Sequence, residues 1–440
     1  MIGDRGRTSA SIGRAHRRGG TRYSRKRMVA GVASAVLAAT GLAACSSASA
    51  GTGPVTLNYY LYPDTSGATQ QAINNCDKAS GGKYKISYQQ LPQSADGQRQ
   101  QLVRRLAARD DTIDIMGLDV TWEAEFATAG WIEPWTGTNK AQAVNGTLVP
   151  ALNTAIWKGK LYAVPANTNT QLLWYRSDLV PTPPTTWAEM IKDAEQLAKA
   201  GKPHYIEIQG AQYEGATVWF NTMVSSAGGT VLNPDATKIT LDARAVKALT
   251  IMKQLATSTA ADPSMSVQKE NENRLQMEAG NAAFQLNYPF VYPGMKTDNP
   301  KLFKVFKWAL YPSVIPGQPA KVTIGGIDLA VSSYSQHKDL AFQAALCLRN
   351  RENQLIGANV GGVPPTIASL YNDPKLFANY PFHADILKAL QNASVRPKTP
   401  VYQVVSIDIS HQISPASSIN PTSTLQGMKG SLSNALNRRA

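Results

Sequence analysis

The chain has 440 residues, 43% of them hydrophobic, enough for more than one buried core. Its 44 basic and 30 acidic residues give a formal charge of +14, but nine of the bases and one acid precede Met28, which leaves 35 against 29, a net of +6, for the rest. No later Lys/Arg run tracks a phosphate backbone, so the high isoelectric point is no ground for a nucleic-acid partner.

In chain order, the first predicted element is a targeting segment. Residues 1–44 combine the basic stretch with a short Ala/Gly-rich apolar run ending in Leu42-Ala43-Ala44-Cys45, the layout of a secretory signal peptide. The run is at the short limit for a bilayer span and makes a poor permanent anchor. Residues 45–53 are rich in Ser, Ala and Gly and read as a flexible tether. Residues 55–62, 84–91 and 113–118 read as strands, with helices at 67–80, 98–108 and 122–129. This β-α-β-α-β-α order predicts a parallel sheet with crossover helices. A strand follows at 161–165 and another, longer one at 167–175 (NTNTQLLWY). Thr186 is a predicted N-cap for a helix over 187–199, and further helices are expected at 218–227, 243–256 and 274–279. Strands at 282–286, 307–311 and 324–331, a helix at 335–349 and a mainly helical tail complete the chain. Cys76 and Cys347 are an even pair in an exported chain, so a disulfide is expected; two separate buried thiols are the alternative.

Several segments together carry a family resemblance: the Leu-Ala-Ala-Cys45 box, PPTTW before a helix, LVRRLAARDDTIDIMGLDVTWEAEFATAGW (102–131), NTQLLWYRSDLV (169–180), GQPAKVTIGGIDLAV (317–331) and SVRPKTPVYQ (394–403). The chain resembles the substrate-binding lipoproteins of carbohydrate ABC importers, in particular the LpqY-type trehalose binders of actinobacteria. The resemblance spans nearly all of the chain after Cys45. It implies an α/β, two-lobed periplasmic-binding-protein-like fold with a hinge and a ligand cleft between the lobes. The boundaries expected are 54–165 plus 322–360 for lobe 1, and 166–321 plus 361–440 for lobe 2. It implies a lipid on Cys45, an extracytoplasmic location on the outer face of the cell membrane, a monomer, a sugar ligand such as trehalose, a membrane permease with cytoplasmic ATPase subunits as partner, and no cofactor. The segment 290–311 is shorter than in the trehalose binders.

Ligands of open α/β sheets bind beyond the carboxyl ends of strands. Asp119 follows a predicted strand directly and is a candidate for sugar hydroxyls, or else an N-cap for the next helix. Asn169, with Asn167 as rival, offers an amide. Glu270, with Glu272 as rival, is singled out by the resemblance alone. Tyr288 and Phe290 flank Pro289 and suit the C–H face of a pyranose, with core packing as the alternative; the family's Trp is Tyr288 here. Gly362 is a candidate for close backbone approach to a ligand, or a plain turn. Arg396 could grip paired hydroxyls, or form a surface salt bridge. Trp122, Tyr62, Gln71 and Glu214 are weaker candidates. The five His residues lack metal-ligand spacing, and no G-x-S-x-G, H-E-x-x-H or P-loop is present. The alternatives weighed are a maltose-type oligosaccharide binder on the same fold and a lipid-anchored glycosidase, which needs two facing carboxylates.

Overall fold

Alternating and continuous apolar runs become the strands of two separate sheets in the computed structural model, which describes residues 53–437. Cys45, the signal segment and most of the tether lie outside these residues.

Strands β1 (Val55–Leu61), β2 (Tyr84–Gln90) and β3 (Ile115–Asp119) are parallel and joined by helices Ala68–Ala79 and Ala95–Ala107. The first four residues of β3 are buried, as expected for a strand covered on both faces. A small hairpin follows, β4 (Ile156–Trp157) with β5 (Lys160–Leu161), then β6 (Val164–Asn169) and β7 (Leu172–Arg176). The second half adds β8 (Tyr205–Glu207), β9 (Ala282–Asn287), β10 (Phe306–Ala309) and finally β11 (Gly325–Val331). The first sheet has the order β2-β1-β3-β11-β6 and the second β10-β7-β9-β8.

Three expectations need correction. The first sheet is parallel in its opening three strands, but β11 enters antiparallel to both β3 and β6, because the chain returns to it from the second half of the molecule. The single strand expected at 161–165 is split between the edge hairpin and the start of β6. The long strand expected at 167–175 is two strands in two sheets, broken at Thr170-Gln171. Apolar alternation starts at Leu172, and buried Gln171 is held by its amide donating to Gln209 Oε1 at 2.6 Å. The chain therefore passes from the first sheet to the second between Asn169 and Leu172. The return falls just before β11, since Val322 and Ile324 still pack in the cores of the second half.

Each half has its own core. In β7, Leu173 and Tyr175 face Trp219, Phe220 and Met252, while Leu172 and Trp174 face Phe306, Tyr380 and Phe382 on the opposite side. The helix Trp187–Lys199 starts as predicted: Thr186 Oγ1 accepts from Glu189 N, and Glu189 Oε2 accepts from Thr186 N, both at 3.1 Å. Cys76 and Cys347 are disulfide-bonded with Cα atoms 5.7 Å apart, and the bond ties helix Lys338–Leu348 back to helix Ala68–Ala79. Among the described residues no helix is long and apolar enough to cross a membrane.

Candidate ligand-binding cleft

The carboxyl ends of β1, β3 and β6 open onto a cavity of about 1350 Å³, whose other wall comes from the second half of the chain. Six of the seven predicted site residues line it: Asp119, Asn169, Glu270, Tyr288, Phe290 and Arg396.

Asp119 ends β3. Its Oδ1 accepts from Thr121 N at 3.1 Å, Thr121 Oγ1 at 2.8 Å and Arg396 Nη2 at 3.0 Å. All three of these bonds are to Oδ1 rather than Oδ2. The capping alternative is thus half right: Asp119 shapes the turn into helix Glu123–Thr128, but the same side chain faces the cavity.

Arg396 is neither a surface salt bridge nor a free fork. It is 4% exposed, with Nη2 on Asp119 and Nη1 on Glu214 Oε1 at 2.5 Å. Glu214 in turn accepts from the hydroxyls of Tyr402 and Ser406. Burial opposes the charge on Arg396, but Asp119, Tyr402 and Glu214 outweigh it and hold the guanidinium protonated. Burial raises the Glu214 carboxyl, with Arg396 pulling the other way. Because β3 belongs to the first sheet and Glu214 opens a helix packed in the second half, this guanidinium joins the two sides of the cleft floor.

Asn169 spends its Oδ1 on Thr170 N at 3.1 Å, which leaves the amide N–H₂ as donor. Its rival Asn167 also lines the cavity, with Oδ1 accepting from Ile327 N at 3.2 Å. Glu270 is the first residue of helix Glu270–Glu278, and burial raises its carboxyl above the ordinary range. Its rival Glu272 accepts from Lys269 N to cap that helix. Tyr288 and Phe290 stand on the turn after β9, with Tyr288 N donating to Asn287 Oδ1 at 2.8 Å. Burial raises the Tyr288 hydroxyl well above its usual range.

Gly362 is the predicted residue that the cavity wall does not include. It sits at φ 70°, capping helix Arg351–Gly361, and a Cβ there would lie 2.8 Å from Phe290 Cα. Its close approach is to the backbone of the aromatic turn. A second close approach was not foreseen: at Gly326, with φ 139°, a Cβ would lie 2.5 Å from the Asn167 carbonyl oxygen. The glycine pair that opens β11 lets β6 and β11 meet at the cleft. Of the weaker candidates, Tyr62 and Glu214 line the cavity; Trp122 is buried and stacked on Phe126, and Gln71 is exposed on its helix.

A model of the bacterial extracellular solute-binding proteins matches residues 62–354. The chain belongs to that family. A probable ABC transporter-binding protein of Deinococcus radiodurans is 29% identical over 347 residues, 75% of this chain and 81% of that one. The maltose-bound MalE3 of T. maritima superposes with a TM-score of 0.80 at 25% identity, covering 86% of this chain and 99% of that one. The GacH receptor of Streptomyces glaucescens, solved unliganded and with acarbose, gives 0.77 at 21% identity, covering 87% and 99%. This solute-binding protein therefore has the two-lobed fold of the sugar-binding structures it matches.

Two cleft residues of the solute-binding protein escaped the sequence reading. Asp64 lies three residues past the end of β1, in the loop at the same edge of the sheet where Asp119 ends β3. Burial pushes its carboxyl up, but hydrogen bonds from Ser66 and Thr69 win and hold it below the usual range. Tyr213 lines the cavity with a buried hydroxyl beside Glu270, and burial and that carboxylate raise it well above its usual range. Nothing in its sequence surroundings signals that.

Proposed function

We propose that this solute-binding protein captures a disaccharide, trehalose, outside the cell membrane and delivers it to the permease of an ABC importer. It acts as a monomer anchored by lipid on Cys45, and does no chemistry on the sugar. The observation that carries this reading is the floor of the cleft. It brings together the Asp119 and Glu270 carboxyls, able to accept hydrogen bonds, the Asn169 amide, able to donate, and the rings of Tyr288 and Phe290. Polyhydroxylated ligands need this mixture, and a wrong stereoisomer leaves buried groups unpaired. Arg396 lines the same cleft and holds the Asp119 carboxylate in place.

A second reading has its own support. The cavity exceeds the roughly 300–1,000 Å³ usual for small-ligand sites, and the matched MalE3 structure holds maltose, so a maltose-type oligosaccharide would also fit. Closure of the lobes around a ligand would narrow the space.

Calorimetric titration with trehalose, maltose, maltotriose, sucrose and glucose decides between them. Tight 1:1 binding of trehalose alone, lost in Asp119→Ala, supports the first reading. Preference for maltose or maltotriose replaces it with the second. Silence across the panel together with sugar hydrolysis would overturn both in favour of a glycosidase.

A further inference from the structure

A second cavity, of about 450 Å³, opens where the helices Lys338–Leu348 and Arg351–Gly361 meet. Arg349 lies in its wall and is 6% exposed. Its Nη2 donates to Thr147 Oγ1 at 2.7 Å and its Nη1 to the Gln142 carbonyl at 3.3 Å, both neutral acceptors. Its Nε is buried without a partner. Among the described residues no carboxylate forms an ion pair with it, in contrast to Arg396, which has two. With no anion to hold it up, burial pulls its pKa down, to about 10. A buried charge without a counter-ion is expensive to keep, and a bound anion would remove that cost.

The surroundings suit an anion. Arg351 stands exposed on the rim, donating to Ser369 Oγ at 2.8 Å and paired with Asp373 at 2.5 Å. Asp373 offsets the charge of Arg351 and leaves that of Arg349. Asn350 caps the 11-residue helix Arg351–Gly361 by accepting from Asn353 N, so the positive end of that helix lies at the same cavity. Asn145 adds an amide to the wall.

We propose that this cavity binds a small tetrahedral oxyanion, phosphate or sulfate, free or carried as a monoester, with Arg349 as its main partner and Arg351 and the helix N-terminus as its rim. The site is separate from the sugar cleft and does not depend on which sugar is bound there.

The test is titration of the full chain with sodium phosphate, sodium sulfate and glycerol phosphate against sodium chloride at matched ionic strength, by calorimetry and by thermal unfolding. Saturable 1:1 binding is expected, with a melting midpoint a few degrees higher in phosphate than in chloride. Arg349→Met should weaken phosphate binding at least tenfold. Because that change also removes the bonds to Thr147 and Gln142, Arg351→Gln on the exposed rim provides a second arm, with a severalfold loss expected. Tighter binding of glycerol phosphate would assign the site to a carried phosphate, and equal binding to the free ion. A midpoint shift no larger than in chloride, or phosphate binding undiminished in both variants, would overturn the proposal.

Discussion

Arg396 shows how one side chain serves two purposes at the cleft. Its guanidinium lies between Asp119, which faces the cavity, and Glu214, which is buried with the Tyr402 and Ser406 hydroxyls around it. Removing it in Arg396→Ala leaves both carboxylates without their cation, and breaking a buried ion pair from one side costs about 3–5 kcal/mol. Urea denaturation should show a loss of that size, and a loss below about 1 kcal/mol would mean that the pair contributes no more than a surface salt bridge. Asp119→Asn is a different experiment, because an amide oxygen can still serve Thr121 while the charge disappears. Hydrogen bonds to charged groups contribute about 1.5–3 kcal/mol, so affinity for the proposed sugar should fall roughly 10- to 150-fold, with a loss of stability smaller than in Arg396→Ala because Glu214 still faces the guanidinium. Tyr288→Ala removes a ring face and should weaken binding by about tenfold, measured in the same titration.

At the scale of elements, the glycines that open β11 decide how closely the sheet can close beneath the cleft. Gly326 has φ 139°, and a Cβ there would meet the Asn167 carbonyl at 2.5 Å and Thr168 Cα at 2.7 Å. Gly326→Ala should therefore cost about 1–3 kcal/mol of stability and loosen sugar binding together, since the β6 end that would be displaced carries Asn167 and Asn169. Unchanged affinity in a destabilised variant would separate the strand contact from the site. Local patterns made most of these elements legible: the helices beginning at Ala68 and Trp187 follow from apolar spacing and, for the latter, a capping box. What local pattern does not carry is where the chain changes sheets. The apolar run continuing to Tyr175 hides the break at Thr170-Gln171, because residues buried in either core look alike in sequence. The site was legible to the same degree. Asp119 obeys a strand-end rule, whereas the pairing of Arg396 with Glu214 joins positions 182 residues apart, and the placing of the buried Tyr213 hydroxyl beside Glu270 depends on packing alone.

The whole molecule carries several carboxyls buried in the fold, and they set how its stability responds to pH. Glu123 and Asp328 face one another beside Asp119. Burial raises both: Asp328 repels Glu123, while Asp328 is pushed to about 7 by burial and nearby Asp119 against hydrogen bonds from Thr154 and Glu123, so the pair holds a proton. In the other half, burial and nearby Asp262 push Glu207 to about 9. A raised acid favours the fold fully below its unfolded pKa, and that contribution disappears as pH rises through its folded pKa. Stability should therefore decline from the ordinary carboxylate range upward, with Glu207 contributing to the slope up to about pH 9. Acids held low by hydrogen bonds, such as Asp64, act in the opposite sense and lose their contribution in acid, so the profile has a maximum between the two. Each proton difference between folded and unfolded states is worth about 1.4 kcal/mol per pH unit. Glu207→Gln keeps the size of the side chain and removes its titration. Denaturation midpoints of the two proteins, converted to free energies, should show the slope between pH 6 and pH 8 reduced by about that amount in the variant. Identical slopes would mean that Glu207 is already ionised in the folded protein, and that some cation or water network, rather than a proton, answers its burial.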